Sequence, residues 1–176
     1  MTTGHVFIAT SVDGFIARAD GSLDWLEAAA ASGEDHGYET FMASIDGLVM
    51  GRATFETALG FEPWPYDRPV IVLSTTLEAG SIPTALTPKV DIAGSVTEAM
   101  ARAAAQGWRR AYVDGGVTIR SFLEAGLIRD MILTRIPVLL GTGRPLFEPL
   151  GRDIPLRHVE TRSFPSGLVQ TRYEVT

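Results

Sequence analysis

Cysteine is absent from the 176-residue chain. That excludes disulfide frameworks, thiolate metal sites and a cysteine nucleophile. Histidine is scarce: His5, His36 and His158 stand far apart, without metal-ligand spacing, so no metal is expected. Lysine is scarcer still, and Lys89 is the single candidate for Schiff-base chemistry. Basic residues are outnumbered 15 to 21, a net charge of −6. A surface that holds nucleic acid through its phosphates usually carries the opposite sign, so no nucleic-acid partner is expected. No apolar run approaches the ~20 residues that span a bilayer. The start is polar and then strand-like, without the layout of a signal peptide. The expectation is a soluble, cytoplasmic protein with no membrane partner. What is present is an ordinary globular balance, 45% hydrophobic and 20% charged, over a length that suits one domain spanning 1–176.

Short apolar runs alternate with helix-length segments, the pattern of an α/β domain. Strands are expected at 5–10, 47–50, 69–73, 90–93, 110–113 and 128–138, and two more should flank a hairpin turn at Pro165-Ser166-Gly167. Helices are expected at 35–45, where Tyr38, Phe41, Met42 and Ile45 fall at helical spacing, and at 52–59 and 117–125. Another should start at Ser95, whose capping box pairs it with Glu98, and end at Gly107. The sum is a mostly parallel sheet with helices on both faces and an antiparallel C-terminal hairpin. Along the last long strand, Ile132, Thr134, Ile136 and Val138 share one face.

Three junctions carry candidate chemistry. At Gly51-Arg52-Ala53-Thr54 a strand ends, glycine admits close backbone approach and a helix begins, with a guanidinium and a hydroxyl nearby. Asp114-Gly115-Gly116-Val117-Thr118 repeats that logic after Val113. Ser74-Thr75-Thr76 places hydroxyls at the end of a buried strand. Any one of them is explained by turn chemistry alone. In an open α/β sheet all three would lie along the carboxyl edge, where ligands bind. The G-x-G-x-x-G fingerprint after the first strand is missing.

Four stretches resemble the dihydrofolate reductase superfamily, and within it the stand-alone bacterial relatives of the riboflavin-biosynthesis reductase domain. Residues 11–17, SVDGFIA, resemble the riboflavin-reductase start S-x-D-G-x-I-A. Residues 49–56, VMGRATFE, resemble the dihydrofolate reductase run I-M-G-R-x-T-W/F-E. Residues 113–123 look like the glycine turn and helix that hold the nicotinamide end of the cofactor. Residues 133–147, LTRIPVLLGTGRPLF, look like the riboflavin-reductase group. The resemblance implies a three-layer α/β/α dihydrofolate reductase-like fold and an NADPH-dependent reductase of a small heterocyclic or carbonyl substrate. A genuine folate reductase and a non-catalytic NADPH-binding protein of the same fold stay open beside it.

By position, the resemblance implies that Gly51, Arg52, Ala53 and Thr54 meet the pyrophosphate and adenosine side of NADPH. It puts Ser74, Thr75 and Thr76 near the ribose 2′-phosphate. Val113, Asp114, Gly115, Gly116, Val117 and Thr118 would surround the nicotinamide and pyrophosphate, with Ala9 and Ile16 touching the nicotinamide. On the substrate side, folate reductases use a carboxylate on the helix before the Met-Gly-Arg strand, near a strand threonine. Asp35 and Thr134 correspond, with Glu39 or a water as rival proton donors. Asp at a helix start also reads as a cap. Trp25 resembles the pocket tryptophan, Arg68 falls where folate reductases bind a carboxylate, and Tyr38 and Trp64 complete the expected substrate region. A homodimer is expected, covering the apolar 132–140 strand. The sequence departs from both subgroups: residues 21–33 lack the folate enzymes' proline-containing entry, and the deaminase domain and substrate-phosphate arginines of riboflavin reductases have no counterpart. Neither substrate is inherited.

Overall fold

Leu48, Val49 and Met50 are all fully buried, although successive strand residues face opposite ways. A strand buried on both faces needs cover on both, and a continuous apolar run is its signature. The computed structural model describes residues 1–26 and 33–176 and supplies that cover. The elements run β1 (Thr3–Ser11), β2 (Phe15–Ala17), α1 (Tyr38–Ala43), β3 (Gly47–Gly51), α2 (Arg52–Ala58), β4 (Val70–Leu73), β5 (Val90–Ala93), α3 (Val96–Ala105), β6 (Arg110–Asp114), α4 (Gly116–Glu124), β7 (Ile128–Ile136), β8 (Arg144–Pro145), β9 (Leu156–Ser163) and β10 (Val169–Val175). The main sheet has eight strands in the order β5-β4-β3-β6-β1-β7-β10-β9. Its pairings from β5 through β7 are parallel, and β10 and β9 close it antiparallel.

On one face α3 and α4 pack Ala99, Ala103, Ile119 and Phe122 against Val6, Val49, Ile71, Val113 and Met131. On the other, α1 and α2 pack Phe41 and Phe55 against Leu48, Met50, Val70 and Val72. The result is the expected three-layer α/β/α arrangement. Phe122 is fully buried, and its truncation to alanine would cost about 3–5 kcal/mol.

Several expected boundaries move. The helix expected from residue 35 begins at Tyr38, because Asp35 Oδ1 accepts the Gly37 N–H at 2.7 Å and Gly37 takes φ 79°. Turn chemistry wins over helical periodicity there. The capping box before α3 forms, with Ser95 Oγ accepting the Glu98 N–H, while the Glu98 carboxylate reaches the N–H of Gly94. β7 ends at Ile136. It lies inside the sheet between β1 and β10, so its backbone needs no second copy, which removes the reason given above for a homodimer. The sheet edge on that side is β9, beyond β10, exposed along its whole length.

The S-x-D-G run has a local task. Ser11 Oγ accepts the Phe15 N–H at 2.9 Å, and the Asp13 carboxylate accepts the N–H groups of Leu140 (3.1 Å) and Gly141 (2.7 Å). The hydrogen bond to Ser11 and these backbone donors hold the Asp13 carboxyl below its usual range. The loop is thereby fastened to 140–141, and β2 pairs with β8 as a small second sheet. That pairing puts Ile16 and Pro145 on the wall of a cavity.

Candidate active site

The parallel strands β3, β4, β6, β1 and β7 bring their carboxyl ends to one edge, and a cavity of about 1220 Å³ lies along it. The cavity has two ends. At one, Gly51, Arg52, Ala53 and Thr54 come from the β3–α2 junction, Ser74, Thr75 and Thr76 from the end of β4, and Gly94 from the end of β5. At the other, Phe7, Tyr38, Tyr112, Thr134, Ile136 and His36 form the lining. Asp114, Gly115, Gly116, Val117 and Thr118 also line it, as do Ala9 and Ile16.

The first end is a backbone cradle. Gly115 sits at φ 91°, and a Cβ there would come within 2.5 Å of Thr54 Oγ1. A Cβ on Gly51 would come within 2.9 Å of Thr118 Oγ1. Two threonine side chains thus occupy the space the glycines leave. The first helical hydrogen bond of α4 runs from Ile119 N–H to Gly115 C=O at 2.8 Å, so the N–H groups of Gly116, Val117 and Thr118 have no helical acceptor, and no acidic side chain lies in that first turn. Arg52 donates to Glu56 (2.6 Å) and to Thr76 Oγ1 (3.1 Å), which draws the guanidinium to the hydroxyl cluster. Ser74 Oγ accepts the N–H groups of Thr76 and Leu77 and holds that turn.

The second end is aromatic with a few polar groups. Phe7 meets Tyr38 edge-on at 5.5 Å, and Phe41 meets Tyr112 edge-on at 5.1 Å. Tyr112 donates its phenol to Phe7 C=O at 2.8 Å. Asp114 stands at the end of β6, half-buried. Burial pushes its carboxyl up to about 6, against the opposing pull of the Gly115 N–H that it accepts at 2.8 Å. Burial, helped by the negative charge of Asp114, pushes the Tyr38 phenol up to about 12. Among the described residues the cavity lining contains one other carboxylate, Glu148, which is bonded to Arg120 at 3.0 Å.

Several expected site residues fall elsewhere. Asp35 is exposed and outside the lining, with its carboxylate on the Gly37 N–H; the acid role anticipated for it does not survive this geometry. Glu39 is likewise exposed on α1 and outside the lining. Trp25 is buried with Ile136 and Leu168 beneath the cavity floor, not in its wall. Trp64 packs edge-on against Phe55 and Tyr66 in the core. Arg68 is exposed near Asp46, and Val113 is fully buried in the α3–α4 layer. Thr134 is on the wall as expected, but its partner is Gln170 (2.9 Å), not a helix carboxylate.

His36 and Gln170 escaped the sequence reading. The His36 ring packs edge-on against Phe164 at 4.7 Å, and its carbonyl accepts from Gln170 Nε2 at 3.0 Å. Glu34 holds the same segment to the hairpin through Ser166. No local signal marks such a contact in the sequence.

Residues 3–170 match the RibD C-terminal domain. The chain belongs to the RibD C-terminal domain family. A protein described as a putative riboflavin biosynthesis protein, from Shewanella sp. PV-4, has a solved structure that superposes with a TM-score of 0.91 at 40% identity, covering 99% of each chain. An uncharacterised Bacillus subtilis protein, YwjB, is 33% identical over 96% of this chain and 95% of its own. RibD of Acinetobacter baumannii shares the fold at a TM-score of 0.70 and 17% identity, with all of this chain matching 58% of that one. Among the described residues no group of acidic or histidine side chains could hold a metal, and no helix is long and apolar enough to cross a membrane. In this RibD C-terminal domain, the glycine cradle and the aromatic end therefore form one continuous chamber.

Proposed function

We propose that the protein is an NADPH-dependent reductase of a small heterocyclic, pterin- or pyrimidine-like, or carbonyl compound. The observation that carries this reading is the single cavity joining a glycine cradle to an aromatic compartment that holds Asp114. The cradle fits a dinucleotide, because the first turn of α4 offers N–H groups without helical acceptors and holds no acidic side chain. Gly51, Ala53, Thr54, Gly115, Gly116, Val117 and Thr118 would hold the pyrophosphate and nicotinamide side. Arg52 with Ser74, Thr75 and Thr76 would meet the 2′-phosphate, the guanidinium supplying charge-assisted donors. Ala9 and Ile16 would form the wall behind the nicotinamide. When bound, NADPH supplies a hydride.

The protein's own task is to position the acceptor and deliver a proton to the atom that gains charge. Asp114 is the group suited to it. Its raised affinity for the proton keeps a protonated fraction near neutral pH, and it opens into the cavity. Tyr38 stays protonated throughout the physiological range and serves as a neutral hydrogen-bonding or stacking group. Fluorescence titration with NADPH and NADH, followed by loss of reduced-nicotinamide absorbance with a panel of pterins, pyrimidines and carbonyl compounds, tests the reading. Micromolar NADPH affinity with turnover of at least one such compound is expected. Absence of NADPH binding would overturn it, and binding without turnover would reduce the protein to a nucleotide-binding module.

A further inference from the structure

Gln170, on β10, stands opposite Thr134 of β7 in the antiparallel register. Its side-chain amide has two hydrogen-bond contacts through Nε2: the His36 carbonyl at 3.0 Å and Thr134 Oγ1 at 2.9 Å. A carbonyl oxygen can only accept. The His36 carbonyl therefore fixes which side of the amide faces the cavity wall, and the NH₂ group spends one hydrogen on each partner. Thr134 Oγ1 is thereby an acceptor toward Gln170. Its own O–H must point elsewhere. Among the described residues no protein acceptor meets that proton. Thr134 is only 5% exposed and lines the cavity. An unmet buried hydroxyl is costly, so the proton has its natural partner in whatever occupies the chamber.

We infer that Gln170 is a positioning residue that makes Thr134 a fixed hydrogen-bond donor, and that the chamber therefore selects a ring presenting a carbonyl oxygen to β7. The inference deepens the proposed function and rests on its reading of the aromatic compartment as the substrate end. It commits the substrate to an oxo edge rather than an exocyclic amine at this position. The relay has a fixed direction: His36 C=O accepts from Gln170, Gln170 donates to Thr134, and Thr134 donates to the ligand. Gln170 touches no ligand itself.

The test uses two fluorescent rings that differ in one exocyclic group, 2-amino-4-oxopteridine and 2,4-diaminopteridine, titrated into the full-length protein. The wild type should favour the oxo ring by ~10-fold or more, the scale of one net hydrogen bond. Gln170→Glu is nearly isosteric but offers Thr134 an acceptor, so the hydroxyl turns away and the preference should collapse or invert. Thr134→Val should erase it, and Thr134→Ser should keep it. A merely structural role for Gln170 would weaken both rings alike and leave their ratio unchanged. Should Gln170→Glu fail to fold, the Val and Ser variants still decide on Thr134's polarity. An unchanged ratio in the folded variants, or no binding of either ring by the wild type, would overturn the inference. NADPH titration is run separately: its failure removes the reductase reading, while the ratio still reports the direction of the Thr134 hydroxyl.

Discussion

The two ends of the cavity are built by different means. The cradle end comes from chain-local units in which a strand runs out, glycine turns and a helix begins within five residues, as in 114–118. The substrate end comes from residues distant in sequence: Gln170 reaches the His36 carbonyl across 134 positions and Thr134 across 36. A local unit writes its geometry into neighbouring residue types, because glycine is required where φ is positive or where a Cβ would strike a packed threonine. A long-range polar relay leaves no such mark. It depends on strand register, and register is fixed by the whole sheet. A local cradle should therefore fail at single backbone positions, and a relay should fail through polarity.

The largest effect should come from the cradle. Gly115→Ala asks alanine to adopt φ 91° and sets its Cβ against Thr54. Strain of ~1–3 kcal/mol is expected, with NADPH affinity falling by ~100-fold, read by thermal unfolding and cofactor titration. An affinity within a few-fold of wild type would show that the cradle does not meet the cofactor.

Asp114→Asn should act where the cradle meets the substrate end. Turnover should fall by ~10²-fold while NADPH affinity stays nearly constant, the scale for a lost general acid. In the wild type the acid form is lost as pH rises through about 6, so turnover should decline across that range and the variant should show no such limb. The same group makes a stability prediction. Its folded-state pKa lies above the unfolded value of 3.8, so the native state holds the proton more tightly. Stability should fall as pH rises from 3.8 to about 6. The asparagine variant, freed of that burden, should gain about 1–2 kcal/mol at neutral pH, less than the full shift because the carboxyl opens on the cavity. Chemical denaturation at several pH values reads it, and identical slopes for both proteins would refute the assignment.

Arg52→Ala sharpens the cradle side. Loss of the guanidinium beside Thr76 should weaken NADPH by ~10-fold and leave NADH nearly unchanged. The exposed Arg52–Glu56 pair contributes only ~0.3–0.5 kcal/mol to stability, so the variant should fold normally. Equal losses for both cofactors would place the 2′-phosphate elsewhere.

What the sequence disclosed follows the same division. The strand order's parallel core was legible because Leu48–Met50 and Val70–Val72 are unbroken apolar runs, the mark of double-sided burial. The three junctions were legible because each is a local change from strand to turn. Trp25 and Trp64 lie outside the cavity lining, which was not legible because an aromatic looks the same in sequence whether it walls a pocket or packs on the core. Asp114 was visible, but as a ligand of the cofactor. Its acid character arises from burial at a strand end, and burial is a property of the assembled sheet.

Asp35 gives the smallest and most discriminating effect. Counting along the chain placed it where a folate reductase keeps its acid, yet its carboxylate accepts the Gly37 N–H at 2.7 Å and faces away from the cavity. That bond closes the turn before α1, so the side chain matters as a turn former and its charge does not. Asp35→Asn keeps an acceptor oxygen and should change stability by less than ~0.5 kcal/mol. Asp35→Ala removes the acceptor and should cost ~1 kcal/mol. Turnover should remain within two- to three-fold of wild type for Asp35→Asn, against the hundredfold loss of Asp114→Asn. Steady-state rates of the two asparagine variants, side by side, measure the contrast. A large loss at Asp35 with little at Asp114 would return the acid to α1 and require the segment before Tyr38 to fold toward the chamber. The present geometry opposes this, because Gln170 and Ser166 already hold His36 and Glu34 on either side.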